Sequence, residues 1–390
     1  MKQARVQPKK LWLFRAIAVV IAVVLTLAAL ELTFRFFINF SNTACGVMQA
    51  DPELGVRFKP HLDTTVTTTA FTMRLVTNAR GLRDRDYGPK EAGEFRILAL
   101  GDSFTEGAVP ELEQALVKHL ERLLNARATN TTFAVINAGV SGYGARQERI
   151  MLERQLDLEP DLVLVFFYQN DPESDYEQRD GPTVTVVDDC AVSRASLNRA
   201  PTLNEWLLAH SRLYYFVKVI APNYQAVKSI AYPVRNALVK LGLAEPPRLR
   251  YFVLEAAYDE HAQQAWNASL AELARIKGIT ETHGIPLAIV MIPMKFQVYD
   301  NLWEEYRSRN MIPEGTYDFS KPSSILGAFA HEHGVGFIDL LPLLRAKIGQ
   351  GALKEPVYYE NDPHFNAYGN QIVAELVHQE LARQGLVVHG

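Results

Sequence analysis

The sequence predicts an α/β protein: a three-layer α/β/α sandwich around a mainly parallel sheet, with an N-terminal transmembrane helix and an inserted cap-like region. Three observations predict it. From residue 95 onward, short unbroken apolar runs alternate with segments of helical spacing, and strands that are apolar on both faces belong to parallel sheets covered by helices. Residues 16–30, AIAVVIAVVLTLAAL, run fifteen positions without a charge. Residues 172–262 interrupt the alternation with a polar stretch and then aromatic-rich segments such as NEWLLAHSRLYYFVKVI.

The chain has 390 residues, enough for a large buried core, and its 48% hydrophobic and 22% charged residues exclude wholesale disorder. The net charge is -4. Lys2, Arg5, Lys9, Lys10, Arg15 and Arg35 all precede residue 36, where Glu31 is the one acid, so the remaining chain carries about -9. An acidic body argues against nucleic acid as a partner. Two cysteines exclude a disulfide-dense scaffold and an all-cysteine metal site.

The apolar run, taken to Phe34 as a helix, is about 28 Å long, close to the ~30 Å hydrocarbon core of a bilayer. Trp12 and Phe14 sit at one end and Phe36 and Phe37 at the other, as interfacial aromatics do. Basic residues before Leu11 and at Arg15 keep the N-terminus cytoplasmic and send the body outward, to the periplasm or the cell exterior. The expected organisation is a basic tail at 1–10, a signal-anchor at 11–37, an extension at 38–94 packing on the main domain, the main domain at 95–390, and an insertion or cap at 172–262. A cleaved secretion signal is the alternative, although no clean A-x-A site follows the run. Cys45 and Cys190 are expected as free thiols, a bridge between them being open to an exported body.

Within the main domain, residues 95–100, 132–139, 161–171, 285–293 and 335–340 are strand candidates. Residues 110–124, 145–156, 262–283, 324–333 and 366–383 are helix candidates, and 294–320 is expected to be loop-rich. Gly101-Asp102-Ser103 follows the first strand. In a parallel sheet the carboxyl ends of strands face the ligand crevice, so Ser103 is a candidate nucleophile, with helix capping as its structural alternative. Gly142 in NAGVSGYG follows the second strand, and Asn170 in FFYQND ends the third. His364 in ENDPHFNAYG has Asp362 two positions before it; a base of this kind needs one ring nitrogen toward the nucleophile and the other oriented by a third group. No H-E-x-x-H occurs, and neither a metal nor an organic cofactor is expected. Lys295 and Gln297 in PMKFQV are candidates for a substrate rim, with a salt bridge as the plainer role of Lys295. Trp206, Tyr214 and Tyr215 are candidates for a groove lining, with core packing as the alternative.

These blocks together resemble the SGNH (GDSL) hydrolases: LALGDSFTEG at Ser103, NAGVSGYG at Gly142, YQND at Asn170, and DPHFNAYG at Asp362 and His364. Residues 51–83, with DPELGVRFKPH and NARGLRD, are similar to the lead-in of membrane-anchored bacterial members. The resemblance implies a serine-dependent esterase working through a covalent acyl-enzyme. Ser103 is then the nucleophile, and His364 the base. The Ser103 and Gly142 N–H groups and the Asn170 side chain form the oxyanion hole. The family places its aspartate three positions before the histidine. Here that position is Asn361, and Asp362 is expected to orient His364 because a carboxylate supports an imidazolium better. The implied substrate is an acylated carbohydrate or another exported ester. O-acyl transfer to an envelope polysaccharide, lipid-ester cleavage, and non-catalytic glycan binding or assembly remain the alternatives.

Overall fold

A computed structural model of the chain describes residues 8–37, 45–67, 72–197, 200, 202–221, 224–244, 252–310, 312–360 and 362–387. The first element is helix α1 (Pro8–Phe37). Two antiparallel hairpins follow, β1 (Met48–Asp51) with β2 (Gly55–Phe58), and β3 (Asp63–Thr67) with β4 (Thr72–Val76). Then come β5 (Glu94–Gly101), α2 (Ser103–Glu106), α3 (Leu116–Arg127), β6 (Thr132–Asn137), α4 (Ala145–Gln155), β7 (Leu162–Phe167) and α5 (Asp171–Glu177). A third hairpin, β8 (Val184–Val187) with β9 (Cys190–Ser193), precedes α6 (Leu203–His210), α7 (Arg212–Tyr215) and α8 (Gln225–Lys240). The chain continues through α9 (Glu260–Thr282), β10 (Leu287–Met291), α10 (Lys295–Val298), α11 (Asp300–Asn310), α12 (Lys321–His333), β11 (Gly336–Asp339), α13 (Leu340–Gly349) and α14 (Ala367–Arg383).

The chain forms two compact units: Met1–Ser41 with Ser196–Pro233, and Asn42–Ala195 with Val234–Gly390. Residues 172–262 are thus shared between the two. In the first unit, Phe14–Phe36 of α1 is long and apolar enough to cross a membrane, and none of it is buried. Glu31, the one acid in that stretch, accepts hydrogen bonds from the Arg212 and Leu213 N–H groups (2.9 and 3.1 Å) and the Ser211 hydroxyl (2.7 Å). Trp206 and Tyr214 line a recess with Leu27 and Glu31 in this unit.

The second unit is built on a five-stranded sheet of order β11-β10-β7-β5-β6. Every pairing in it is parallel. Every residue of β7, LVLVFF, is fully buried, which is why the strand carries no alternation: helices cover both of its faces. The chain leaves β5 to one side for β6 and returns to the other side for β7. That reversal puts a crevice at the carboxyl end of β5, between the ends of its two neighbours.

The NARGLRD segment braces the start of this crevice. Arg83 is fully buried and donates to the carbonyls of Gly107, Glu106 and Pro110, just where α2 ends. Asp84 pairs with buried Lys118 at 2.6 Å and accepts from the Asn137 N–H at 2.8 Å, tying the end of β6 to the same segment.

Three expectations are corrected. The helix expected from Pro110 begins only at Leu116, because Ala115 is extended (ψ 149°) and packs fully buried against Gly107. The stretch 294–320 holds α10 and α11, whose Phe296, Trp303 and Tyr306 pack on one another. Cys45 and Cys190 form a disulfide rather than standing as thiols. They meet because the β8–β9 hairpin docks on the first: the Gly46 N–H bonds the Asp189 carbonyl at 2.8 Å, and Lys59 pairs with the Asp189 carboxylate at 2.5 Å. The cysteines lie 145 positions apart, so no local pattern marks the pairing.

Closing so long a loop stabilises chiefly by restricting the unfolded chain. Replacing both cysteines, Cys45→Ser with Cys190→Ser, is expected to lower the thermal midpoint by about 5–15 °C, read by scanning fluorimetry of the full chain. An unchanged midpoint would show that the hairpin contacts hold the two segments without the bridge.

Candidate active site

Gly101 ends β5 where no side chain fits: a Cβ there would lie 2.1 Å from Thr105 Oγ1. Asp102 then caps α2, its Oδ1 accepting the Phe104 N–H at 2.9 Å. This sets Ser103 at the first position of α2, partly exposed above the sheet. Its hydroxyl lies 2.7 Å from His364 Nε2. On the far side of the ring, His364 Nδ1 is 2.5 Å from Asp362 Oδ1, which also accepts the His364 backbone N–H at 2.9 Å. A carboxylate can only accept, so Nδ1 carries the proton and Nε2 turns its lone pair toward Ser103. Asn361, the rival for Asp362, lies outside the described residues.

The loop that carries His364 is closed on itself and pinned from below. The Tyr359 N–H bonds the His364 carbonyl at 3.1 Å, and the Asn366 N–H bonds the Val357 carbonyl at 3.1 Å. The Tyr358 hydroxyl donates to the Pro293 carbonyl at 2.7 Å. Lys295 Nζ donates to the carbonyls of Tyr359 and Glu360, both at 2.7 Å. The Phe104 ring packs against the His364 ring, with centroids 4.8 Å apart.

The other two expected residues lie at the ends of the neighbouring strands. Asn170 is the N-cap residue of α5, just past β7. Gly142 stands in the loop after β6 at φ +82°, a left-handed conformation that favours glycine. That loop is fastened to α2: the Glu106 carboxylate accepts both the Ser141 N–H and its hydroxyl at 2.6 Å. The substrate-rim expectation fails for Gln297. It is fully buried, donating to the Phe319 carbonyl (2.7 Å) and accepting from Gln169 (3.0 Å) and the Met294 N–H (2.6 Å). Lys295 is partly exposed, and its ammonium donates to the His364 loop carbonyls rather than pairing with a carboxylate among the described residues. Trp206 and Tyr214 belong to the other unit.

The electrostatics are those of a partly dry site. Burial pulls the His364 pKa down, but the hydrogen bond and charge of Asp362, with Asp102 and Glu106 beyond, outweigh it and leave the imidazole above its ordinary value. Burial raises Asp362, yet its bonds to His364 bring it below the usual carboxylate range. Beneath Ser103 lies a group of carboxyls that the sequence reading missed. Asp102, Glu148, Asp171 and Asp175 are all buried. Desolvation first, then mutual repulsion, raises Glu148 and Asp171 well above their ordinary values. Asp175 is pushed up to about 6 by burial, against its hydrogen bond from Ser269. One signal was available: Glu148 shares the helical stripe of Ala145 and Leu152, both buried.

Two family models match the chain. The GDSL-like lipase/acylhydrolase family matches residues 99–280, and the SGNH hydrolase-like domain of acetyltransferase AlgX matches residues 251–389. The chain is an SGNH hydrolase-like protein. The two matches point to an esterase or acetyltransferase-like family of that fold. Solved structures with some likeness to this SGNH hydrolase-like chain include TesA (13% identity, 74% of this chain and 98% of that one, TM-score 0.38). Others are the acetyl xylan esterase AlAXEase (14%, 75% and 100%, 0.39) and a lipase/acylhydrolase from Enterococcus faecalis (16%, 76% and 98%, 0.39). No curated protein matches it in sequence.

The buried carboxyls make stability depend on pH. A carboxyl whose folded pKa is raised contributes stability that is complete below its unfolded value and is lost as pH rises through the folded one. Glu148→Gln keeps the shape and removes the charge. It is expected to raise the thermal midpoint by about 2–5 °C at pH 8 and to leave it nearly unchanged at pH 4.5. A larger gain at pH 4.5 than at pH 8 would contradict the raised value.

Proposed function

We propose that the chain is a serine-dependent esterase acting through a covalent acyl-enzyme. The observation that carries this reading is the chain of contacts from Ser103 Oγ to His364 Nε2 (2.7 Å) and from His364 Nδ1 to Asp362 (2.5 Å). Ser103 Oγ attacks the ester carbonyl carbon while its proton passes to His364 Nε2. The carbonyl oxygen, now negative, is received by the Ser103 and Gly142 N–H groups and the Asn170 amide. Among the described residues neither backbone N–H donates to a protein acceptor. The Asn170 amide carries two hydrogens that it can offer to the oxyanion. The tetrahedral intermediate collapses, the carbon–alkoxy bond breaks, and the proton on Nε2 goes to the departing alcohol. Water then attacks the acyl-enzyme by the same proton route. Asp362 holds the tautomer and supports the imidazolium without itself taking the proton. Asp102 and Lys295 act as positioning residues.

The substrate class is an acylated carbohydrate or another exported ester. Transfer of the acyl group to a sugar hydroxyl instead of water is the second reading, and the match of residues 251–389 to an acetyltransferase domain favours it. The body is placed outside the cytoplasm, with α1 as a signal-anchor. Lys9, Lys10 and Arg15 at the start of α1 support this orientation, and a disulfide in the body suits an oxidising compartment. C-terminal fusions of the full chain to alkaline phosphatase and to a cytoplasm-only fluorescent reporter check it. Phosphatase activity is expected, and fluorescence alone would reverse the orientation.

Full-length chain in lipid nanodiscs is expected to hydrolyse nitrophenyl esters, and Ser103→Ala to abolish it. Because His364 must be neutral to act and its pKa is raised, kcat/KM is expected to fall as pH drops through a value above 6.5. Asp362→Asn is expected to cut kcat by about 10³–10⁴ and to move that limb to lower pH. Equal rates in wild type and Ser103→Ala would sink the reading. Activity on an ester only when a polysaccharide acceptor is added would favour transfer.

A further inference from the structure

A cavity of about 480 Å³, formed entirely within the second unit, reaches Gly142 and the end of α2. Its walls come from the hairpins before the main sheet, through Met48, Val56, Val66 and Met73, and from the β8–β9 hairpin, through Val184 and Ala191. Its inner end is made by Glu106 and Ala108, just past α2, and by Ser141 and Gly142. The Gly107 and Ala108 N–H groups both bond the Ser103 carbonyl, at 3.1 and 3.0 Å, so this end of the cavity lies one helical turn from the nucleophile.

The cavity has little with which to hydrogen-bond a ligand. Glu106 Oε2 accepts twice from Ser141, Gln147 donates to Gln178, and the Tyr143 hydroxyl donates to the Val56 carbonyl at 2.7 Å. A sugar buried there would lose its bonds to water without replacement; an alkyl chain would lose none. The direction also discriminates. The alcohol must leave toward His364 Nε2, which protonates it, whereas the lining includes Gly142 and no residue of the 357–366 loop. The acyl side of a bound ester therefore faces the cavity. The walls are held together by the Cys45–Cys190 disulfide and the Lys59–Asp189 pair, so the space is formed before a ligand arrives.

We propose that this cavity is the acyl-chain site and that the ester cleaved or transferred carries a linear aliphatic acyl group longer than acetyl, the volume, on the order of sixteen water-sized groups, bounding it at about sixteen carbons. This inference rests on the Ser103 esterase reading and adds the acyl class to it. The alcohol half stays on the His364 side, where a carbohydrate or glycerol head can remain in water.

The test uses full-length chain in nanodiscs with nitrophenyl acetate, hexanoate, decanoate and palmitate. Wild type is expected to gain about fourfold in kcat/KM per added methylene up to decanoate. Val184→Trp and Met48→Trp, both at partly exposed positions, are expected to lower the decanoate-to-acetate ratio tenfold or more. Ser103-dependent hydrolysis with no dependence on chain length, or with a ratio unmoved by either tryptophan, would overturn the cavity assignment while leaving the esterase reading intact. A second readout does not need catalysis. Ser103→Ala chain is irradiated with a diazirine-bearing decanoic acid, and the labelled peptides are identified by mass spectrometry. Label on residues 47–75 or 184–191, competed by decanoate and lost in Val184→Trp, supports the site even if no ester is hydrolysed. Label confined to α1 overturns it.

Discussion

The hydrogen bond between His364 Nε2 and Ser103 Oγ joins positions 261 residues apart, and much of the molecule serves to keep its two ends in place. One end is fixed by β5, whose glycine and aspartate turn the chain sharply into α2. The other is fixed by a loop with no regular structure of its own. That loop is held by a small internal ladder, by the Tyr358 hydroxyl on Pro293 and by Lys295 reaching up from the end of β10. A proton can be passed between the two side chains only because both supports are stiff, and stiffness at this distance comes from the parallel sheet beneath them.

The sheet order explains why three further groups converge there. Strands β6 and β7 flank β5 in parallel register, so the loops that follow all three open on the same edge. The site sits at the reversal of strand order, where such loops diverge and leave a crevice. The cost is electrostatic. Asp102, Asp171, Asp175 and Glu148 are packed under this edge, where burial and mutual repulsion favour their protonated forms. The same buried acids lie behind the nucleophile turn, and Asp102 and Glu106 add to the negative field that raises the imidazole. The chain thus holds an imidazole tuned upward over a layer of acids that resist ionisation.

The hairpins that precede the sheet supply one more layer. They contribute one wall of an apolar cavity that reaches Gly142, and the segment just after them contributes Arg83, which braces the end of α2. These contacts connect a segment of weak local pattern to the end of α2 and to the cavity wall. The disulfide works at the same place, since it ties this wall to the β8–β9 hairpin.

Local chemistry was legible in the sequence wherever it repeats or is contiguous. Unbroken apolar runs marked the five parallel strands, because a strand buried on both faces leaves no polar position. The length and charge of α1 marked a membrane-compatible helix. The motif blocks singled out Ser103, His364 and Asp362, which the fold brings into one hydrogen-bonded chain, along with Gly142 and Asn170 at the ends of the adjoining strands. Gln297, Lys295, the disulfide and the carboxyl layer were decided only by the tertiary structure. In each of these the partner is supplied by another part of the fold: Gln297 by Gln169 and Phe319, Lys295 by the 359–360 carbonyls, Cys45 by Cys190, and Glu148 by the ends of β5 and β7. A residue's type and its near neighbours determine which chemistry it can offer; burial and the groups that face it determine which it uses, and those are set when distant segments pack.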